Sequence, residues 1–239
     1  MMSRVIFCQC KKAAIISDDV REELTQWFHR SQIACEVVED LCGLAAHKDE
    51  RLVQWAQQDE LIVVACYERA VRWLFSAAGA QLKNDVRVLN QRVQGAQEIV
   101  AGLEEMNLPT GQQTTSAAGE WVPWFPVIDY SRCINCRQCY NFCLFGVFAV
   151  DAEGKVQVAQ PANCKTGCPA CARVCPAVAI IFAKYNETPF NGDVVDEQKL
   201  AQLRQSKDFK NMSPAMLQRL IRARMGQRGN VNLPNTRHD

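Results

Sequence analysis

The cysteines between Cys133 and Cys175 constrain this chain more than any other feature. They read Cys133-Ile-Asn-Cys136-Arg-Gln-Cys139-Tyr-Asn-Phe-Cys143 and, after a short bridge, Cys164-Lys-Thr-Gly-Cys168-Pro-Ala-Cys171-Ala-Arg-Val-Cys175-Pro176. Eight of the thirteen cysteines lie here, in two runs of four. The gaps are two, two and three residues in the first run, and three, two and three in the second. Three closely spaced thiolates on a tight loop can wrap three corners of an iron–sulfur cube, while the fourth, about one helical turn further on, points away from that loop. A disulfide scaffold fits poorly. The number of cysteines is odd, and Met1-Met2-Ser3-Arg4-Val5 runs into an apolar segment without a signal pattern. Zinc ribbons use two separated Cys-x-x-Cys pairs, not two quartets ending in Cys-Pro.

The two runs form an internal repeat. Each continues into an apolar segment, 144–150 and 177–183, and a predicted hairpin joins them: Phe148-Ala149-Val150, a turn through Gly154, then Val156-Gln157-Val158. Over residues 127–183 the chain resembles the bacterial-type two-cluster ferredoxins. The resemblance implies a small α+β fold with pseudo-twofold symmetry, one-electron transfer, and two [4Fe–4S] clusters with exchanged fourth ligands. Cys133, Cys136, Cys139 and Cys175 would hold one cluster, and Cys164, Cys168, Cys171 and Cys143 the other. Two residues depart from the family pattern: Leu144 stands where proline usually follows the cysteine, and Gly167 is an extra residue in the second run.

The N-terminal half has a different texture. Arg4–Cys8, Ala34–Val38, Glu60–Cys66 and Asp85–Leu89 read as strands. Glu60–Cys66 is a continuous β-branched run of the kind that forms a central parallel strand. Between them lie predicted helices over Asp18–Phe28, Lys48–Gln57, Tyr67–Gly79 and Val93–Met106, with Ser17 as an N-cap. Alternating strands and helices predict an open parallel α/β sheet, Rossmann-like or flavodoxin-like. There is neither a Gly-x-Gly-x-x-Gly after the first strand nor a Walker sequence, which argues against a nucleotide site of the usual kind. Cys8, Cys10, Cys42 and Cys66 all fall at or just after strand C-termini, the edge where such sheets bind ligands, whereas Cys35 starts its strand on the other edge. Cys8-Gln9-Cys10, Leu41-Cys42-Gly43 and Val64-Ala65-Cys66 resemble the N-terminal iron–sulfur domain found in the flavin-bearing subunit of heterodisulfide reductase. That resemblance implies a third [4Fe–4S] cluster on Cys8, Cys10, Cys42 and Cys66. The family's flavin-binding domain has no counterpart in this sequence, so flavin chemistry does not carry over. The residues by themselves also allow four buried core thiols.

The expected organisation is therefore an α/β domain over 1–108, a linker over 109–126, the two-cluster domain over 127–184 and a helical C-terminal extension over 185–239. Pro109–Glu120 reads as flexible, and Trp121–Pro126 as aromatic packing for the ferredoxin half. Tyr185–Asp193 reads as an exposed loop, Asp196–Gln205 as a short helix, 214–225 as an amphipathic helix able to pack back or dock a partner, and Gln227–Asp239 as a frayed tail. The formal net charge of +1 gives no pull toward nucleic acid, and no apolar run approaches the roughly 20 residues that span a bilayer. His29, His47 and His238 accompany no evident nucleophile. These features predict a cytoplasmic electron carrier, or an electron-transfer subunit with redox protein partners, rather than a stand-alone enzyme. One alternative is a redox enzyme with a small-molecule site on an N-terminal cluster. Another is an α/β docking module with clusters only in the ferredoxin half.

Overall fold

The computed structural model describes residues 5–106, 108–117, 120–198 and 200–201. Residues up to Val194 form one compact unit, and Val195 onward a second. In the second unit, residues 197–198 and 200–201 are helical, and the Leu200 N–H donates to the Asp196 carbonyl at 2.9 Å. The expected helix over 214–225 and the tail lie outside the described residues.

Five parallel strands build the N-terminal sheet: β1 (Val5–Cys8), β2 (Cys35–Val38), β3 (Ile62–Ala65), β4 (Arg87–Asn90) and β5 (Gln113–Ser116), in the order β4-β3-β1-β2-β5. Every residue of β1 and β3 is buried, because helices cover both faces of these inner strands. Side-chain alternation divides the core. Val5, Phe7, Ile62 and Val64 meet α1 (Asp18–Ser31) and α5 (Ala96–Glu104) through Leu24, Phe28, Ile99 and Leu103. Ile6, Val63 and Ala65 meet α2 (Leu41–Ala46), α3 (Glu50–Ala56) and α4 (Glu68–Ala77) through Leu41, Leu52, Leu74 and Phe75. The Ser17 hydroxyl accepts from the Val20 N–H, and Asp18 and Asp19 complement the positive end of α1.

From β1 the chain moves to β2 on one side, returns to β3 on the other, and proceeds to β4. This reversal leaves a crevice at the C-terminal ends of β1 and β3, where open α/β sheets bind ligands. Cys8 ends β1 and Cys66 immediately follows β3, so two thiols stand at that crevice.

Two sequence expectations need correction. Within the stretch read as a flexible linker, Gln113–Ser116 is an edge strand paired in parallel with β2. Its Gln-Thr-Thr-Ser composition hides it, since an edge strand is held by backbone bonds and leaves polar side chains in water. Tyr185–Asp193, read as an exposed loop, folds back onto α4. Asn191 is 1% exposed, the Phe182 N–H donates to the Phe190 carbonyl at 2.7 Å, and Gly192 (φ +95°) lies so close that an added Cβ would meet Ala70 Cβ at 2.5 Å. A further helix, α2, for which the sequence predicts no element, follows β2. The Asp40 carboxylate caps it by accepting from the Gly43 N–H.

The second half is small: β6 (Val127–Ile128) pairs antiparallel with β9 (Ile180–Ile181), and β7 (Phe148–Val150) with β8 (Val156–Val158). Two five-residue helices, α6 (Gln138–Phe142) and α7 (Ala170–Val174), pack together between them. This half seats on α4 and on the C-terminal edge of the sheet, so Phe125, Val127, Ile181 and Ala183 share a core with Cys8, Cys10, Cys42 and Cys66. A charged anchor joins the halves. Arg69 of α4 donates to Asp129 at 2.6 Å, to the Val178 carbonyl at 2.5 Å and to the Pro189 carbonyl at 3.3 Å.

Candidate metal centres

All thirteen cysteines are free thiols. In the second half, two tight loops deliver the first two thiols of each run, and the short helix that follows each loop carries the third, Cys139 or Cys171, and leads to the fourth. In the first loop Asn135 and Arg137 adopt left-handed backbone, φ 53° and 58°, on either side of Cys136. Non-glycine residues there are uncommon, and here side-chain bonds hold the turn. Asn135 Nδ2 donates to the Gly154 carbonyl at 2.8 Å, Asn135 Oδ1 accepts from the Val156 N–H at 3.1 Å, and Arg137 donates to the Gly154 carbonyl at 2.9 Å. In the second loop the extra residue, Gly167, takes φ +76°, and the Cys168 N–H closes onto the Lys165 carbonyl at 3.1 Å. A glycine absorbs the insertion because it has no Cβ to clash there.

Each fourth thiol has neighbours in the opposite run. Burial pushes the Cys139 thiol up to about 12, and the thiols that add to this are Cys175, Cys133 and Cys136. Burial pushes Cys171 well up, and the neighbouring Cys164, Cys139, Cys143 and Cys168 add to this. Cys164, raised by burial to about 12, has Cys168 and Cys143 beside it. Cys175 is thus a neighbour of Cys139, and Cys143 of Cys171 and Cys164, while Cys139 and Cys171 also neighbour one another. The Ala179 N–H donates to Cys175 Sγ at 3.3 Å, the kind of bond to sulfur that tunes iron–sulfur potentials. Cys136 is exposed, as are Tyr140, Leu144 and Phe145, while Phe142 is half-buried and Phe148 buried.

In the N-terminal half Cys8, Cys10, Cys42 and Cys66 are each 6–8% exposed and lie in one core. Burial drives Cys8 and Cys42 well above the usual thiol range, Cys10 to about 12 and Cys66 to about 11. They sit within electrostatic reach of one another: Cys8 of Cys10 and Cys66, and Cys42 of Cys66 and Cys10. Cys10 is held at φ 49°, and the Leu41 N–H donates to Cys8 Sγ at 3.4 Å. Among the described residues no three His, Cys, Asp or Glu side chains are grouped to hold a single metal ion. Thiolates around a four-iron cube stand further apart than ligands around one ion, and four thiols are the donor set such a cube takes. Cys35 lies apart on the other face among Leu24, Ile62 and Ile99, a buried core thiol.

Sequence reasoning missed the charged residues at this edge. Asp40 and Lys184 form an ion pair that is 1% and 4% exposed at the side chain. Burial alone would lower the Lys184 pKa, but Cys42 and Asp40 outweigh it, so the ammonium is held charged. Arg92, just past β4, donates to the Ala183 carbonyl at 3.1 Å, the Tyr185 carbonyl at 2.9 Å and Asn186 Oδ1 at 3.1 Å. Aspartate directly before Leu41-Cys42-Gly43 is a legible N-cap signal. A lone lysine closing the apolar run Ala177–Ala183 is a weaker one. The aromatic stretch packs against both halves: Trp124 stacks on Phe182 at 5.3 Å, and Trp121 meets His47 edge-on at 5.9 Å.

Similarity to known proteins agrees with the second-half geometry. A family model described as a 4Fe-4S binding domain matches residues 125–148. A ferredoxin of Methanocaldococcus jannaschii is 49% identical over 63 residues, 26% of this chain and 42% of that protein, so the chain spans less than half of that relative's length. The pyruvate synthase subunit PorD of the same organism is 33% identical over 70 residues, 29% of this chain and 79% of PorD. Ferredoxin-3 of Nostoc sp. is 35% identical over 80 residues, 26% of this chain and 81% of that ferredoxin. The cysteine-bearing loops and these likenesses lead to one conclusion: through its second half the chain belongs to the 4Fe-4S ferredoxin-type proteins, iron–sulfur carriers of electrons.

Proposed function

We propose that this chain is an electron-transfer subunit of a cytoplasmic redox complex, carrying two [4Fe–4S] clusters in its second half and a third in the α/β half. Cys133, Cys136, Cys139 and Cys175 hold the first cluster, Cys164, Cys168, Cys171 and Cys143 the second, and Cys8, Cys10, Cys42 and Cys66 the third. We read the domains as 1–108 and 127–184 with an extension over 185–239, the connection over 109–126 being partly incorporated into the sheet and the start of the extension, Tyr185–Asp193, folded back onto α4. The observation that carries the reading is that Cys175 is a neighbour of Cys139, and Cys143 of Cys171 and Cys164, as exchanged fourth ligands of a paired two-cluster module would be. For the third site the support is four buried thiols at the crevice of a parallel sheet. The sequence there resembles the iron–sulfur domain of the flavin-bearing heterodisulfide reductase subunit.

Cys164 supports a line of three centres, since it packs against both the core of the second half and the core that contains the N-terminal thiols. Iron–sulfur centres supply one-electron chemistry. The chain's residues exclude water, donate N–H groups to sulfur and hold the centres in order. PorD's name as a pyruvate synthase subunit supports work within a complex. Among the described residues no helix is long and apolar enough to cross a membrane. Voltammetry of the anaerobically purified full chain tests the proposal. Reversible one-electron waves are expected, and no reversible reduction in the accessible range would refute it.

A further inference from the structure

Lys184 and Asp40 are 144 residues apart in sequence and meet in the interior, at side-chain exposures of 4% and 1%. Burying an ion pair is rarely a stability device, because desolvation offsets most of the attraction. Its location points to another use. Asp40 is the N-cap of α2, two residues before Cys42, and its Oδ1 accepts from the Gly43 N–H at 3.1 Å while Oδ2 takes the lysine. Lys184 shares a cavity wall with Cys42. Arg92 grips the chain on either side of Lys184, at the Ala183 and Tyr185 carbonyls, and so fixes the lysine's approach. The first half thus supplies the carboxylate and the second half the ammonium, beside one set of thiols.

We propose that the Lys184–Asp40 pair sets the reduction potential of the centre held by Cys8, Cys10, Cys42 and Cys66, the carboxylate lowering it and the ammonium cancelling that effect. The inference rests on the third-site reading above. A cube held by four thiolates is an anion, and taking up an electron makes it more so. A fixed negative charge beside it therefore disfavours reduction, and a fixed positive charge favours it, most strongly where water is excluded. Asp40 is an electrostatic neighbour of all four thiols, and Lys184 of Cys10, Cys42 and Cys66, so the two residues act in opposition on one site. Both are positioning residues: neither is offered as a ligand. The arrangement also ties the potential to assembly, because Lys184 reaches the site only when the second half is seated on the sheet.

EPR-monitored redox titration of the anaerobic full chain, with iron counted in each sample, tests this. Lys184→Met should lower the midpoint potential of the third signal, and Asp40→Asn, which keeps an N-cap acceptor, should raise it. The double variant, with no buried charge left unpaired, should lie nearer wild type than either single change. Lys184→Arg should lie nearer wild type than Lys184→Met. The ferredoxin-half signals should stay in place throughout. Single variants shifting in the same direction, or neither shifting while iron stays at about twelve per chain, would overturn the proposal and leave the third site standing. About eight irons in the wild-type chain would overturn the third site, and the proposal with it. If both single variants lose iron through misfolding, the double variant decides: a potential far from wild type at full iron content overturns the compensation.

Discussion

The two halves of the molecule deliver thiols in opposite ways. In the second half eight cysteines arrive within 43 residues on short loops, around a small core that includes Ile128, Phe148, Ile180 and Phe182, with several thiols partly open to water. In the first half Cys8 and Cys10 come from the end of β1, Cys42 from α2 just after β2, and Cys66 from the end of β3, and all four are buried. Metal binding couples to folding most strongly where few other contacts hold the ligands, so the small second half should depend on metal for its fold more than the α/β half does.

Metal removal should separate the two most strongly. Anaerobic chelation of the full chain should abolish amide protection over residues 127–181 while β1 and β3 stay protected, as hydrogen exchange would show. Equal loss in both halves would break the comparison. Next in size is the exchange of ligands. Cys175→Ser should remove about four irons and the cluster held by the first-run loop, Cys133, Cys136 and Cys139, even though Cys175 belongs to the second run. Loss of the second-run EPR signal instead would contradict the pairing.

The joint between the halves should give the next effect. Arg69→Met leaves Asp129 buried at 3% exposure without its guanidinium and should cost about 3 kcal/mol in denaturant unfolding. The smallest effect is on pH. In the metal-free protein burial raises Cys10 to about 12 and Cys66 to about 11, against an ordinary value of 9.0. A thiol whose pKa is higher folded than unfolded stabilises the fold fully below about 9 and loses that contribution as the pH rises toward 11–12. Between pH 8 and 10 the metal-free α/β half should lose about 1 kcal/mol per buried thiol, read as a falling urea midpoint. A flat profile would mean the thiols are wetter than their burial indicates.

What the sequence reveals follows the same division. The ferredoxin cysteines are legible because their geometry is local: a gap of two or three residues fixes a loop. β1 and β3 are legible because burial on both faces leaves continuous apolar runs such as Leu61–Cys66. β5 is not, since Gln113-Thr-Thr-Ser carries no apolar pattern and depends on β2's backbone. α2 is obscured by its six-residue length and by Gly43. The fold-back of Tyr185–Asp193 depends on Arg69, Arg92 and Arg173, whose partners lie far away in sequence or are backbone carbonyls. The Lys184–Asp40 pair joins residues 144 apart, and no pattern in either segment announces the other.

The most direct test of three centres in one chain is an iron count on the anaerobically reconstituted full chain and its Cys42→Ser variant. About twelve irons per chain are expected in the wild type and about eight in the variant, with both ferredoxin EPR signals retained in the variant. About eight irons in both would contradict it, reducing Cys8, Cys10, Cys42 and Cys66 to core thiols of an α/β domain attached to a two-cluster ferredoxin.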